Sequence, residues 1–273
     1  MKPSITVVSL KGSERRNGNI SKVLLQQGQG FQYFDAIDGY NDKSLTKHFI
    51  FRPSFFSPAY RYREKSISNL EIACTLSHFL AIKRHYDAGT KDPLLVFEDD
   101  TIPCNLDFDL FELVLKRIPD NAATVQFAIT PPETIDAMAN SVIKHGSLFL
   151  QKNGPYSLRI SDEIFPCHCT AAYFISHEAI EWIARSWFDE EKVIFPCAEN
   201  LLSENAALLA DQLLFQAATS NGLHSYACAV PLFTTAAEES TLHPDHIEGH
   251  KVARDCALNW NKRLGSRIRS VLS

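Results

Sequence analysis

The sequence lacks any long apolar run, and nothing in its 273 residues approaches the roughly eighteen apolar residues that a membrane-spanning helix needs. The N-terminal stretch "MKPSITVVSLKGSERR" has too short an apolar run for a secretory signal before charge resumes. The seven cysteines are odd in number, scattered and mostly in apolar contexts. They indicate reduced, buried thiols rather than a disulfide framework. A cytoplasmic protein that neither spans a membrane nor is exported is therefore expected.

Internal repeats, low-complexity tracts, P-loops and kinase motifs are also absent from the sequence. With 45% hydrophobic and 22% charged residues, the chain can bury a sizeable core in one large domain or two closely associated ones. The net charge of −5 is unevenly distributed, since residues 1–70 hold eleven Lys/Arg and five Asp/Glu. A basic N-terminal portion suits a phosphate-bearing ligand, although solvated surface charge is the alternative. No nucleic-acid partner is expected.

The C-terminal residues 251–273 carry six Lys/Arg and one Asp and space their apolar residues three or four apart. These apolar residues are Ala253, Ala257, Trp260, Leu264, Ile268 and Val271. The pattern predicts a basic amphipathic helix, either packed on the body by its apolar face or resting on an anionic membrane surface. The chain is therefore divided into one domain over residues 1–250 and this helix.

Strands and helices alternate along the rest of the chain. Strands are predicted at 5–10, in "FQYFDAIDG", at 94–97, and in "ATVQFAI", "CTAAYFIS" and "SYACAVPLF". Helices are predicted at 20–27, 69–86, 108–117, 177–188 and 207–219. Residues 41–66 are expected to form a long irregular loop. This order is typical of an α/β fold with a mainly parallel central sheet.

Three consecutive carboxylates, Glu98, Asp99 and Asp100, follow the apolar run "LLVF". Ligands of open α/β sheets bind outside the carboxyl ends of strands, which is where this triplet lies. Clustered like charges can be retained when a cation neutralises them, and oxygen ligands prefer Mg²⁺ or Mn²⁺ together with substrate phosphates. The triplet therefore favours a metal and diphosphate site. The alternative is the first turn of a helix, where acidic residues meet the positive end of the dipole.

Seven blocks, in the same order over about 240 residues, resemble glycosyltransferase family 25, the galactosyltransferases of lipooligosaccharide synthesis. They are "VVSLKGSERR", "FQYFDAIDG", "LEIACTLSH", "VFEDD", "CTAAYFIS", "ADQLLF" and "ESTL". The third block departs from the family, because Leu70 and Ala73 replace its glycines. The resemblance implies a GT-A-type, Rossmann-like nucleotide-sugar fold.

The resemblance further implies that Mn²⁺, or Mg²⁺, is held against the diphosphate of a UDP-sugar. Asp100 would bind the metal directly, Glu98 directly or through water, and His243 would complete the shell. The matched blocks imply donor-binding roles for Ser9, Leu10, Arg15, Arg16, Asp35, Asp38, Ser77, His78 and Asp99. Ordinary surface charge is the alternative for the two arginines, capping for Asp35 and Asp38, and a structural role for His78.

The general base that the resemblance implies is Asp211, an acid at the start of an otherwise apolar helix. In an inverting transferase this carboxylate takes the proton of the acceptor hydroxyl. A helix N-cap is the alternative role. The sequence departs from the family here, with Leu-Ala where Pro-Val usually precedes this Asp. Glu199 and Asp162 are the reserve candidates.

The segment Cys167–His168–Cys169 does not predict zinc, because a Cys-x-Cys strand sends His168 to the other face and no second cysteine pair lies at ligand spacing. The function expected is transfer of a hexose, galactose ahead of glucose, from a UDP-sugar to a lipooligosaccharide, lipopolysaccharide or other glycan acceptor. The cytoplasmic face of a bacterial inner membrane is the expected location. A metal-dependent phosphoryl or nucleotidyl transferase and a non-catalytic sugar-binding protein are the alternatives.

Overall fold

The strands and helices are given by a computed structural model that describes residues 2–42, 44–52, 67–104, 108–197, 208–219, 221–236 and 247–272. The strands are β1 (Ser4–Leu10), β2 (Gln32–Ala36), β3 (Phe49–Phe51), β4 (Leu94–Glu98), β5 (Thr101–Pro103), β6 (Ala122–Gln126), β7 (Phe149–Gln151), β8 (Ser157–Ile160), β9 (Glu163–Pro166), β10 (Ala172–Ile175), β11 (Phe188–Asp189), β12 (Lys192–Phe195), β13 (His224–Cys228) and β14 (Phe233–Thr235). The helices are α1 (Asn19–Gln26), α2 (Asn69–Asp87), α3 (Phe108–Leu115), α4 (Pro132–His145), α5 (His177–Ser186), α6 (Ala210–Thr219) and α7 (Ile247–Leu272).

The central sheet has seven strands in the order β2-β1-β4-β10-β6-β13-β7. The pairs β1–β2, β1–β4 and β6–β13 are parallel, whereas β10 is antiparallel to both of its neighbours and β7 is antiparallel to β13. Five strands therefore run in one direction and two oppose them, so the prediction of a mostly parallel α/β sheet is confirmed. The parallel strands bring their carboxyl ends to one edge.

Apolar residues cover both faces of this sheet, as the side-chain alternation of a buried strand requires. In β4, Leu95 and Phe97 face the core that includes α1, α3, α4 and α7. Leu94 and Val96 face the opposite core, which includes α2, α5 and α6. The apolar run of β4 thus contributes side chains to both cores, and Glu98 follows it at the edge of the sheet.

Helix α2 begins at a capping box. The hydroxyl Oγ of Ser68 accepts from the backbone N–H of Glu71 at 3.2 Å, and the Glu71 carboxylate accepts from the backbone N–H of Ser68 at 2.6 Å. This reciprocal pair satisfies two N–H groups that the first turn would otherwise leave unbonded. The cap fixes where the helix starts and thereby which face of it meets β4.

The structure differs from the sequence-based expectations in the following features and in six short strands that were not predicted, β5, β7, β8, β9, β11 and β12. Within the predicted loop 41–66, a short 3-10 helix and β3 are formed, because buried Phe49 pairs with β12; residues 53–66 lie outside the described part. Residues 167–169 are irregular rather than a strand, since Cys169 adopts φ 124°. The run "SYACAVPLF" is divided into β13 and β14, and β14 pairs with β5 in a separate sheet. Helix α4 was not predicted.

Helix α7 begins four residues earlier than predicted and packs against α4, β14 and α3. Ala253, Ala257 and Leu264 are each 1% exposed, so the apolar face covers the body at least as far as Leu264. The side chains of Ile268 and Val271 lie outside the described residues. Among the helices that the structure describes, none is both long and apolar enough to cross a membrane.

Candidate active site

The carboxyl ends of β1 and β4 are tied together by a side-chain hydrogen bond. The hydroxyl of Ser9 donates to Asp99 Oδ2 at 2.7 Å, and the amide of Asn19 donates to the Asp99 carbonyl at 3.3 Å. Asn19 adopts φ 40°, which places its side chain back toward this edge. Ser9 and Asp99, both predicted to bind the donor, are therefore direct partners. Leu10 is the last residue of β1 beside them.

Glu98 faces the interior of the protein. Its Oε1 accepts from the Thr170 hydroxyl at 2.6 Å and lies 3.2 Å from Nε2 of His78, whose Nδ1 is 3.1 Å from the hydroxyl of Tyr173. Burial acts to raise the pKa of Glu98, but the hydrogen bond and positive charge of His78 and the Thr170 hydrogen bond outweigh it. The pKa of Glu98 is therefore lowered, so this acid is held as a carboxylate.

Asp100 lies in the turn between β4 and β5, with its Oδ1 buried. Its main-chain carbonyl accepts from the N–H of Ala236 at 2.8 Å. The next residue, Thr101, donates its hydroxyl to the Ala171 carbonyl at 2.6 Å. The turn that presents Asp100 is thus held by two segments that are distant in sequence.

Asp211 is the second residue of α6 rather than its N-cap, since the helix begins at Ala210. Its Oδ2 lies 3.6 Å from Nδ1 of His168. Burial raises the pKa of Cys169 well above its ordinary value, and the negative charges of Glu98, Asp100 and Asp211 raise it further. Thr170, two residues after His168, donates to Glu98 Oε1 at 2.6 Å, so the segment 168–170 contacts both Glu98 and the predicted base.

Lys152 is a site residue that the sequence analysis missed, and it is only 7% exposed. Its ammonium donates to Gln126 Oε1, to the carbonyl of Pro155, and at 3.5 Å to the carbonyl of Cys167. Burial lowers its pKa, while the charges of Cys167 and Asp211 act in the opposite direction. A single lysine in the sequence "LQKNG" carries no signal of such burial, because two of its acceptors, on Gln126 and Cys167, lie 26 and 15 residues away.

Lys152 contacts the elements that carry both members of the His168–Asp211 pair. Gln126, which accepts from Lys152, donates its Nε2 to the Cys169 carbonyl at 2.7 Å. The ammonium also lies 4.3 Å from the ring centroid of Phe215, one turn after Asp211 on α6. Lys152 therefore holds the segment that carries His168 and packs against the helix that carries Asp211.

The segment after β1 carries the basic residues predicted for the donor, and β2 carries the acidic Asp35. Arg16 lies in a short 3-10 helix, and its Nη1 is 2.5 Å from Asp35 Oδ1, while its guanidinium stacks 4.4 Å from the centroid of Tyr33. The Arg16 hydrogen bond is the main cause of the lowered pKa of Asp35. Arg15 belongs to the same short helix, but its side chain lies outside the described residues.

Other predicted residues support the backbone. Ser77, which is buried, accepts from the N–H of Ile37 at 2.9 Å and donates to the Ala73 carbonyl at 2.6 Å. Asp38 accepts from the N–H groups of Tyr40 and Asn41 in a turn. The reserve candidate Asp162 lies in the exposed turn between β8 and β9, away from these contacts. His243 and Glu199 lie outside the described residues.

The donor set of the acidic triplet fits a hard cation held by few protein ligands. Among the described residues, the one group of three or more ligand side chains with all donor atoms within 4.8 Å of one another is Cys74, His78 and Glu98. The three carboxylates of the triplet do not converge in this way. A Mg²⁺ or Mn²⁺ ion here would be held by one or two of these carboxylates together with substrate phosphates.

Comparisons with known proteins give one family match. The model of the family described as "Glycosyltransferase family 25 (LPS biosynthesis protein)" matches residues 2–185. No curated protein sequence matches the chain.

Two solved structures are similar to parts of the chain. "Crystal Structure of A197 from STIV" has 12% identity and a TM-score of 0.37, covering 83% of this chain and 81% of that one. "Crystal structure of a glycosyltransferase involved in the glycosylation of the major capsid of PBCV-1" has 12% identity and a TM-score of 0.32, covering 66% of this chain and 62% of that one. TM-scores this low carry no argument about function.

Proposed function

Because the chain belongs to glycosyltransferase family 25, we propose that it is a metal-dependent, inverting enzyme that transfers galactose from UDP-galactose to a lipopolysaccharide or lipooligosaccharide acceptor. The observation that carries this proposal is that one segment contacts both acidic groups: Thr170 donates to Glu98 Oε1 at 2.6 Å, and Nδ1 of His168 lies 3.6 Å from Oδ2 of Asp211. The proposed metal ligand and the proposed base are thus linked through neighbouring residues of one segment.

On the donor side, Asp100 would bind the divalent cation directly, and Glu98 would reach it through water. When bound, Mn²⁺ supplies a Lewis acid that offsets the negative charge on the departing nucleoside diphosphate. Ser9 fixes the carboxylate of Asp99 at this edge. Arg16, held beside Asp35 and Tyr33, is positioned to exchange its carboxylate partner for a phosphate, a geometry that guanidinium groups favour.

On the acceptor side, Asp211 takes the proton of the acceptor hydroxyl. The hydroxyl oxygen then forms a bond to the anomeric carbon while the bond from that carbon to the diphosphate breaks, and UDP leaves with the bonding electrons. Attack from the face opposite UDP inverts the configuration. His168, 3.6 Å from Asp211, stabilises the ionised base when protonated, and Lys152 keeps its segment in place.

A donor panel tests this proposal most simply. Release of UDP is measured from UDP-galactose, UDP-glucose and UDP-N-acetylhexosamines with Mn²⁺ and a short lipooligosaccharide acceptor, with and without EDTA. We expect UDP-galactose to be the preferred donor and EDTA to abolish release. Preference for UDP-glucose would change the proposed donor sugar to glucose. Formation of nucleotidyl or phosphoryl products would show that the enzyme is not a glycosyltransferase.

Peripheral binding to the cytoplasmic face of an inner membrane is part of the proposal. Lys262 and Arg263 are exposed on α7, and each cation near an anionic surface contributes roughly 1 kcal/mol. Because α7 covers the core, deleting it would test folding rather than binding. Vesicle flotation of the Lys262→Glu/Arg263→Glu protein, expected to bind anionic vesicles more weakly than wild type, tests the contact.

A further inference from the structure

A second cluster of ligand side chains lies on the inner side of Glu98. Cys74 and His78 are four residues apart on α2, so their side chains share one face of the helix. Together with Glu98 their donor atoms lie within 4.8 Å of one another. Each comes from an element that is fixed independently, α2 by its capping box and Glu98 by its position at the end of β4.

The distances suit a small transition-metal ion. Tetrahedral Zn²⁺ with bonds of about 2.0–2.3 Å holds its ligand atoms about 3.3–3.6 Å apart. His78 Nε2 and Glu98 Oε1 are already 3.2 Å apart. Small side-chain shifts would bring the sulfur of Cys74 to bonding distance. Three protein ligands of this kind leave a fourth position for water.

Two ligands of the cluster also carry the outer partners that metal-binding side chains usually have. The hydroxyl of Tyr173 lies 3.1 Å from Nδ1 of His78, so Nε2 is the nitrogen that faces Glu98 and Cys74. Thr170 donates to Glu98 Oε1 at 2.6 Å and orients the carboxylate. The ring and the carboxylate are therefore held in place before any ion arrives.

The charge balance of the cluster favours a divalent cation. A thiolate, a carboxylate and a neutral imidazole together carry two negative charges, which one divalent ion neutralises in a mostly buried site. Asp100 and Asp211 add negative charge in the surroundings of Cys74. A thiolate and an imidazole select Zn²⁺ or Co²⁺ over Mn²⁺ and Mg²⁺, so this ion would differ from the one proposed beside the donor diphosphate.

We propose that Cys74, His78 and Glu98 form a zinc site that joins α2 to the end of β4 beneath the candidate active site. The proposal is independent of the proposed glycosyl transfer, since it concerns metal retention and not activity. Zinc binding releases the thiol proton of Cys74 and displaces the proton shared between His78 and Glu98. The ion thereby fixes the inner face of Glu98 and leaves Asp100 for the donor side.

The test uses the full chain purified without chelators. Metal content is measured by mass spectrometry, and chelator-treated protein is then titrated with Co²⁺, whose sulfur-to-cobalt absorption reports a thiolate ligand. We expect about one zinc per chain, the cobalt band in wild type, and loss of both in Cys74→Ser. Cys228→Ser, a change at another buried cysteine, is the matched control and should keep both.

A second variant distinguishes a metal site from a cysteine that only packs in the protein. Tyr173→Phe keeps the ring and removes only the partner of His78, so it should weaken Co²⁺ binding about 10–100-fold while retaining the band. Circular dichroism checks that each variant is folded. Wild type that retains less than about a tenth of a zinc per chain and shows no cobalt band overturns the proposal. A cobalt band that persists in folded Cys74→Ser overturns it equally.

Discussion

Asp211 and His168 form a pair across two elements, with Oδ2 of the carboxylate 3.6 Å from Nδ1 of the imidazole. Asp211 comes from the first turn of α6, and His168 from the irregular segment before β10. The proposed mechanism uses Asp211 as the general base, and the pair supplies an imidazole beside that carboxylate.

Asp211→Asn is expected to abolish transfer while donor binding persists. A general base contributes about 10²–10⁴-fold to rate and does not hold the donor. Transfer to acceptor and calorimetric binding of UDP with Mn²⁺ are the two measurements. Asp162→Asn, at an exposed turn, is the control and should keep both. Undiminished transfer by the Asp211 variant would return the assignment to Glu199.

Lys152→Met should lower the rate of transfer more than it weakens donor binding. The substitution removes the ammonium group that donates to Gln126 and to the carbonyls of Pro155 and Cys167. The segment that carries His168 therefore loses these hydrogen bonds. Displacement of a catalytic group by about 1 Å costs on the order of 100-fold in rate. Comparison of kcat with the Kd for UDP, beside the exposed control Lys192→Met, measures this split. Equal losses in both quantities would show a general structural role.

Arg16→Gln should weaken UDP binding about tenfold, the value of one charge-assisted hydrogen bond. The same change should raise the pKa of Asp35 toward its ordinary value of 3.8, because Arg16 is the main cause of its lowering. Carboxyl titration by NMR and UDP calorimetry measure the two effects.

The sign of the pH dependence follows from that lowered pKa. In wild type, the contribution of the Arg16–Asp35 pair to stability is complete above pH 3.8 and is lost as the pH falls through the folded-state value. The stability of the Arg16→Gln protein should not show this decrease at low pH, because the pair is absent. An unchanged Asp35 titration in the variant would contradict the pairing.

Gly39→Ala should destabilise the protein although Gly39 is outside the core. A Cβ there would lie 2.7 Å from the Asn69 carbonyl and 2.9 Å from Cα of Leu70, at the start of α2. Backbone atoms cannot move aside cheaply, so a cost of about 1–3 kcal/mol is expected. Gly30→Ala, with nothing within 4 Å of its Cβ, is the matched control. Urea denaturation of both variants measures the difference.

The sequence was sufficient to predict the elements whose patterns are local. The apolar run before Glu98 predicted β4, and the spacing of α2 predicted a buried helix. The antiparallel insertion of β10 between β4 and β6 has no local signal, because strand order depends on contacts between distant segments. Residues 167–169 were predicted as a strand, but Cys169 adopts a positive φ that no periodicity reveals.

The site was predictable to a similar extent. The acidic triplet was proposed from its position after a strand, and Asp211 from the resemblance to the family. In the structure, Thr170 contacts Glu98 and His168 lies beside Asp211. Lys152 and the cluster of Cys74 with Glu98 were missed, because Gln126 lies 26 residues from Lys152 and Glu98 lies on a different element from Cys74. The inward orientation of Glu98 toward His78 likewise depends on the packing of α2 on the sheet.

The measurement that tests the central claim most directly is the combined melt and activity assay of Asp100→Ala, with Asp162→Ala as control. If Asp100 binds the donor metal, the variant should lose roughly 100-fold or more in transfer. It should melt no lower than metal-free wild type, because one of three like charges is removed. It should also lose the stabilisation that Mn²⁺ with UDP gives to wild type. A destabilised Asp100→Ala protein that still transfers galactose at the wild-type rate would contradict the account.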